Sequence, residues 1–162
     1  MAMPPIRRFA LTDAAATHDV FFQAVRIGAA EHYRESDLTD WAPSPEMPDG
    51  WGEWLDRHFT VVADQDGTIC GFFMLEATGY LNMAFVRPDY RRTGLADRLY
   101  DAILAEARAR KMPHLTVWAS RLFRPFLARK GWLPDDDPPP LAGHPVPTDG
   151  PEPIDFAMRL VL

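Results

Sequence analysis

The sequence predicts an α/β fold: a mixed, mostly antiparallel central sheet with helices on both faces. Three observations predict it. Strand-forming runs at residues 59–63, 68–77 and 80–86 lie so close together that tight antiparallel turns must join them. A helical period follows at once, with Leu95, Leu99, Ala102, Ile103 and Ala107 on one face. Around that block, strand and helix signals alternate in the order β-α-(α)-β-β-β-α-β-α-β.

Taken in order, Ile6 to Phe9 reads as a short strand behind Pro4 and Pro5. Thr12 and Asp13 offer an N-cap to a helix over residues 14–30, whose apolar positions Val20, Phe21, Ala24, Val25 and Ala29 recur at helical spacing. Ser36 is placed to cap a second short helix, and three prolines make residues 41–49 a loop. Residues 51–58 form a helical turn or two. In the meander, Asp64-Gln65-Asp66-Gly67 is a turn whose glycine supplies a positive φ, and Thr78-Gly79 is the next. The long helix runs to about Arg110, and residues 115–119 are a buried strand. A short helix over residues 124–130 closes at Gly131. Residues 135–153, rich in proline and aspartate, are a long loop, and residues 156–162 end the chain as a strand.

The 162 residues carry no internal repeat and suit one domain over residues 1–162. The net charge of -6 argues against the basic footprint of a nucleic-acid binder and mildly favours cationic amines as partners. The one cysteine, Cys70, excludes an intrachain disulfide and reads as a small buried hydrophobe. The first residues show no apolar signal core, and no run approaches the roughly 18 apolar residues of a membrane span. The expectation is a cytoplasmic protein without a membrane partner. His58, His114 and His144 lack metal-site spacing, so no metal is expected.

The segment Val86-Arg87-Pro88-Asp89-Tyr90-Arg91-Arg92-Thr93-Gly94-Leu95-Ala96 carries the chemistry. A strand that runs through it into a long helix leaves unpaired N–H groups at the helix start, which with the helix dipole favour a pyrophosphate. Gly94 and Ala96 allow close approach, and Arg91 and Arg92 add charge. On these features alone, a phosphate cradle and an ordinary basic loop are equally good readings. The missing G-x-x-x-x-G-K-[ST] excludes a P-loop, and one glycine is not the Rossmann G-x-G-x-x-G.

In its setting the segment resembles the acetyl-CoA loop of the GNAT superfamily of N-acetyltransferases, with its R/Q-x-x-G-x-G/A pattern after a strand. The resemblance covers residues 6–132 and the final strand. The stretch from Tyr33 through Leu38-Thr39-Asp40-Trp41-Ala42-Pro43 is similar to a small bacterial subgroup. It implies the GNAT fold, with a splayed strand pair, and transfer of an acetyl group from acetyl-CoA to a primary amine of a small molecule or peptide. Carried onto this chain, the donor contacts are the backbone of Ala84, Phe85 and Val86, the loop residues Arg91, Arg92, Thr93, Gly94, Leu95 and Ala96, and Ser120 and Phe123. Ser120 equally suits a helix cap.

The resemblance also raises a departure. Where many relatives place a tyrosine that protonates the leaving thiolate, this chain has Leu127. Water, Tyr90 or Ser120 would have to substitute, or the protein is a non-catalytic acyl-CoA-binding or sensing module. Glu76 is the first candidate to take the ammonium proton, directly or through water, with Asn82 on the neighbouring strand orienting that water or the substrate, and Glu76 equally suits a solvated strand end. His32, Tyr33 and Glu76 are the acceptor-binding candidates. Trp41 and Trp54 fall in the same region and suit packing. A monomer or a homodimer fits.

Overall fold

The structure is a computed structural model describing residues 3–139 and 155–162. Most of the expected 135–153 loop, with His144, lies outside the described residues. The elements are β1 (Ile6–Arg8), α1 (Ala14–Gln23), α2 (Glu35–Trp41), α3 (Trp51–Arg57), β2 (Phe59–Gln65), β3 (Thr68–Leu75), β4 (Leu81–Val86), α4 (Leu95–Ala109), β5 (His114–Ser120), α5 (Arg124–Arg129), β6 (Leu133–Pro134) and β7 (Asp155–Val161).

The described strands form two antiparallel sheets, in the orders β1-β2-β3-β4 and β5-β7-β6. A parallel bridge between Tyr80 and Thr116 joins them, with the Thr116 N–H donating to the Gly79 carbonyl at 3.0 Å. Beyond that bridge β4 and β5 run side by side without a ladder, so the sheet opens into a wedge. Gly79 makes the junction possible. It sits at φ 89°, and a Cβ there would lie 2.8 Å from the His114 carbonyl oxygen.

Alternation along the strands feeds a core on each face. Phe73, Leu75, Leu99, Ile103 and Leu115 bury the contact with α4. Phe21, Val25, Trp51, Phe72 and Met74 fill the opposite face, beneath α1 and α3. At the meander's first turn Asp66 and Gly67 both take positive φ, 50° and 90°, the twist that fits a two-residue hairpin.

β4 departs from simple alternation. Leu75 pairs with Leu81 and Met74 with Met83, so Asn82 is an extra residue, a β-bulge. The bulge sends Leu81 into one core and Met83 into the other, although they are two apart.

Several expected boundaries shift. The first helix leaves α-geometry at Gln23 and continues as a wider π-turn, Ala24–Gly28. The widening turns carbonyls outward, and the Gly28 carbonyl accepts from Arg91 Nη1 at 2.6 Å. Asp13 does not cap α1 with its side chain. Its carboxylate accepts from both Arg7 nitrogens and from the Ala10 N–H, and Arg7 holds it below the usual carboxylate range. Arg34, not Ser36, is the N-cap of α2. The two-residue strand β6 was not expected. Its Pro134 is tolerated at a sheet edge, and β6 covers part of β7.

Candidate active site

The residues expected to carry chemistry lie on the strands that bound the wedge and on the loops and helix starts around it. On its floor, Ala84 and Val86 turn toward the α4 core and Phe85 toward the α1 core, where it meets Phe21 edge-on at 5.1 Å. Their side chains are packing groups, and what β4 presents to the wedge is backbone that β5 does not pair.

The strand then leads through a short turn into α4. Arg92 takes a left-handed φ of 62°, and Gly94, the N-cap of α4, takes φ 87° with no side-chain cap. The Leu95 N–H is 3.4 Å from Thr93 Oγ1, which itself donates to the Tyr90 carbonyl at 2.5 Å. A helix of fifteen residues thus begins without a strong cap, the arrangement that suits an anionic ligand. Asp97, a like charge in that first turn, is drawn aside by Lys130 at 2.5 Å. Arg92 is exposed, whereas Arg91 is half-buried and braces the loop against the π-turn. Leu95 is fully buried in the core and Ala96 half-buried, so both serve the loop through their backbone.

At the apex, Asn82 Nδ2 donates to Glu76 Oε2 at 2.7 Å. The structure therefore joins the two residues named for proton transfer. The bulge is the reason: the extra residue projects toward the turn that follows β3. Beside them stands Tyr80, whose hydroxyl is pushed up to about 12 by burial and by the Glu76 and Asp155 carboxylates.

Across the wedge, Ser120 Oγ accepts from the Phe123 N–H at 3.1 Å, which closes the turn before α5 without capping it, because Phe123 itself is that helix's N-cap, and also meets the Tyr33 hydroxyl. Tyr33 is buried and accepts from the Arg121 N–H at 2.7 Å, and burial raises its hydroxyl above the ordinary tyrosine value. His32 is exposed, and its carbonyl accepts from Arg121 Nη1. Asp155 lies opposite Ser120 in the β5–β7 register, and burial raises its carboxyl to about 6. Phe123 stacks on Phe126 at 5.2 Å and meets Phe73 edge-on.

Leu127 is wholly buried in the α4 core. Tyr90 directs its hydroxyl to Cys70, which is itself buried. Tyr80 and Asp155 had not been singled out from the sequence. Tyr80 stands between Glu76 and Asn82 and was legible from that spacing, whereas Asp155 carries no local signal.

A cavity of about 380 Å³ adjoins the apex on the α1 face, reaching Asn82 and Met83. Trp41, Trp51, Trp54, Phe21 and His18 wall it. Its parts come from four separated segments, so no single run of residues marks it as a unit. Among the described residues no group of three or more His, Cys, Asp or Glu side chains is placed to hold a metal, and no helix is long and apolar enough to cross a membrane.

Known proteins share this architecture. The acetyltransferase (GNAT) domain family matches residues 29–143. The chain is 30% identical over 127 residues to the uncharacterized N-acetyltransferase YafP of Escherichia coli (strain K12), covering 78% of this chain and 79% of that protein. A GCN5-related N-acetyltransferase from Rhodopseudomonas palustris superposes with a TM-score of 0.83 at 26% identity, over 100% of this chain and 98% of that one. The PaiA N-acetyltransferase of Thermoplasma acidophilum, solved with coenzyme A, gives a TM-score of 0.75 at 18% identity over the full length of both chains. The wedge, the bulged strand and the glycine-capped helix are thus found in a chain that belongs to the GNAT acetyltransferase family and is an acyltransferase.

Proposed function

We propose that residues 1–162 act as one domain that moves an acetyl group from acetyl-CoA to a primary amine, by direct transfer within a ternary complex. The observation that carries this reading is the wedge between β4 and β5, which leads into the uncapped start of α4. A coenzyme A molecule has the matching shape: an amide-bearing arm that can pair with strand backbone, followed by a pyrophosphate for a helix N-terminus. The coenzyme A in the Thermoplasma acidophilum neighbour supports the same donor.

Ala84, Phe85 and Val86 bind the arm through backbone groups. Arg92, Thr93, Gly94, Leu95 and Ala96 cradle the pyrophosphate, with Arg91 bracing the cradle. Phe123 borders the donor, and Ser120 shapes the far wall. The ammonium must lose a proton before it can attack, and Glu76, held by Asn82, accepts it directly or through a water. The nitrogen then bonds to the acetyl carbon, the carbon–sulfur bond breaks, and the second nitrogen proton passes through water to the departing thiolate. The thiolate leaves as a good leaving group, so the buried Leu127 is compatible with turnover.

His32 and Tyr33 form the acceptor side with Glu76. Tyr33 contributes mainly by fixing the end of β5. The location we propose is the cytoplasm, as a monomer or homodimer, and no metal takes part. The test is calorimetry of acetyl-CoA binding alongside release of free thiol in the presence of an amine panel. Binding with turnover is the expected result, and binding without turnover by any amine would refute the catalytic reading.

A further inference from the structure

The cavity beside Asn82 has a composition that selects among amines. We propose that it is the acceptor subsite and that the acceptor is a small arylalkylamine, its ring held among the tryptophans and its ammonium directed to Asn82 and Glu76. This assignment rests on the direct-transfer reading above. Its volume of about 380 Å³ is that of a small-molecule site.

The walls favour a flat apolar body. Trp51 is the centre of the cluster, tilted against Trp54 at 5.7 Å and against Phe21 at 5.5 Å, with His18 edge-on at 5.0 Å. Trp41 and Trp54 are half-buried, so part of each ring faces the cavity or solvent. Aromatic faces carry partial negative charge and attract a cation as well as another ring.

The charges point the same way. The lining includes the Glu46 carboxylate and the Asn82 amide, and no lysine or arginine. Asn82 in turn holds Glu76 at 2.7 Å. Burial lowers the His18 imidazole below its ordinary value, against the smaller upward pull of Asp19 and of the hydrogen bond to the Pro45 backbone. An anionic acceptor would find no lysine or arginine to pair with and would face the Glu46 carboxylate. A linear polyamine could use the ring faces only through its ammonium groups and would leave the apolar area between them unfilled, and a peptide would fit at most its first residue.

Binding and turnover need separate readouts. Three cavity tryptophans make intrinsic fluorescence a direct probe. The titrants are phenethylamine, spermidine and an alanyl tripeptide, each also assayed for thiol release from acetyl-CoA. Saturable quenching by phenethylamine and the highest kcat/KM of the three are expected. Trp54→Ala should weaken phenethylamine about tenfold or more, the usual loss at a tryptophan anchor.

Because Trp54→Ala also removes packing, Ser44→Phe provides a second test by filling the cavity from its loop. It should raise the phenethylamine KM by a similar factor, leaving acetyl-CoA affinity as in the parent. A preference for spermidine or the tripeptide, or a phenethylamine response that survives both substitutions, overturns the assignment. Phenethylamine binding that Ser44→Phe abolishes, in a protein without turnover, supports the pocket assignment and refutes direct transfer.

Discussion

The donor groove and the cavity beside its apex are made of different material. The donor side, β4 with the loop into α4, offers main-chain groups, and its side chains face the cores or brace the loop. The acceptor side that we propose is a wall of side chains, brought together from α1, α3, the 41–48 loop and the β4 bulge, with Tyr33 packed edge-on behind Trp41. A main-chain site depends on conformation, so it tolerates any sequence that keeps the path. A side-chain site depends on identity at scattered positions. This explains how a chain can share a fold with proteins at 18% identity and still select its own acceptor.

The sharpest way to break this division is Glu76→Gln. If the acceptor side carries the proton transfer, the turnover rate should fall about 10²–10⁴-fold with acetyl-CoA affinity unchanged by calorimetry. Loss of both together would show that the two sides are not separable.

Leu127→Tyr comes next. Leu127 is fully buried, so the larger side chain should cost about 1–3 kcal/mol in a denaturation series, without accelerating turnover. A faster enzyme of unchanged stability would mean that the tyrosine reaches the thiolate, and the main-chain account of the donor side would then be incomplete.

Gly94→Val tests conformation alone. A β-branched residue at φ 87° costs about 1–2 kcal/mol, enough to weaken acetyl-CoA about 5- to 30-fold if the loop reverts to ordinary backbone. Amine quenching of the tryptophans should be untouched.

The smallest effect concerns Asp155. Burial raises its carboxyl from 3.8 to about 6, so ionisation is harder in the fold than in the unfolded chain. Its contribution to stability is therefore fullest below pH 4 and is lost as the pH rises through 6. Asp155→Asn should raise Tm at pH 8, with a gain that shrinks toward pH 4. A constant gain across that range would show that burial of the carboxylate is not the cause.

How much of this was legible in the sequence follows the same division. The meander, the long helix and the Gly94 loop are local patterns, and residue spacing encodes them. The sequence points to Glu76 and Asn82 for one proton-transfer role, but their 2.7 Å contact depends on a bulge that no composition signal marks. The π-turn after Gln23 was hidden because its residues keep a helical apolar pattern. Trp41 and Trp54 suited packing when read singly, and only the fold sets them around one cavity with Trp51. Asp155 sits in a strand of ordinary appearance, and its environment comes from residues more than thirty positions away.

The seam at Gly79 has a consequence for motion. Where the two sheets meet, the Thr116 amide proton is held by the Gly79 carbonyl, next to strands that diverge. Separation of one half-sheet from the other at this seam breaks that bond. The exchange of this single proton with solvent deuterium is therefore a clock for the breathing of the cleft, and a donor wedged between β4 and β5 should slow it.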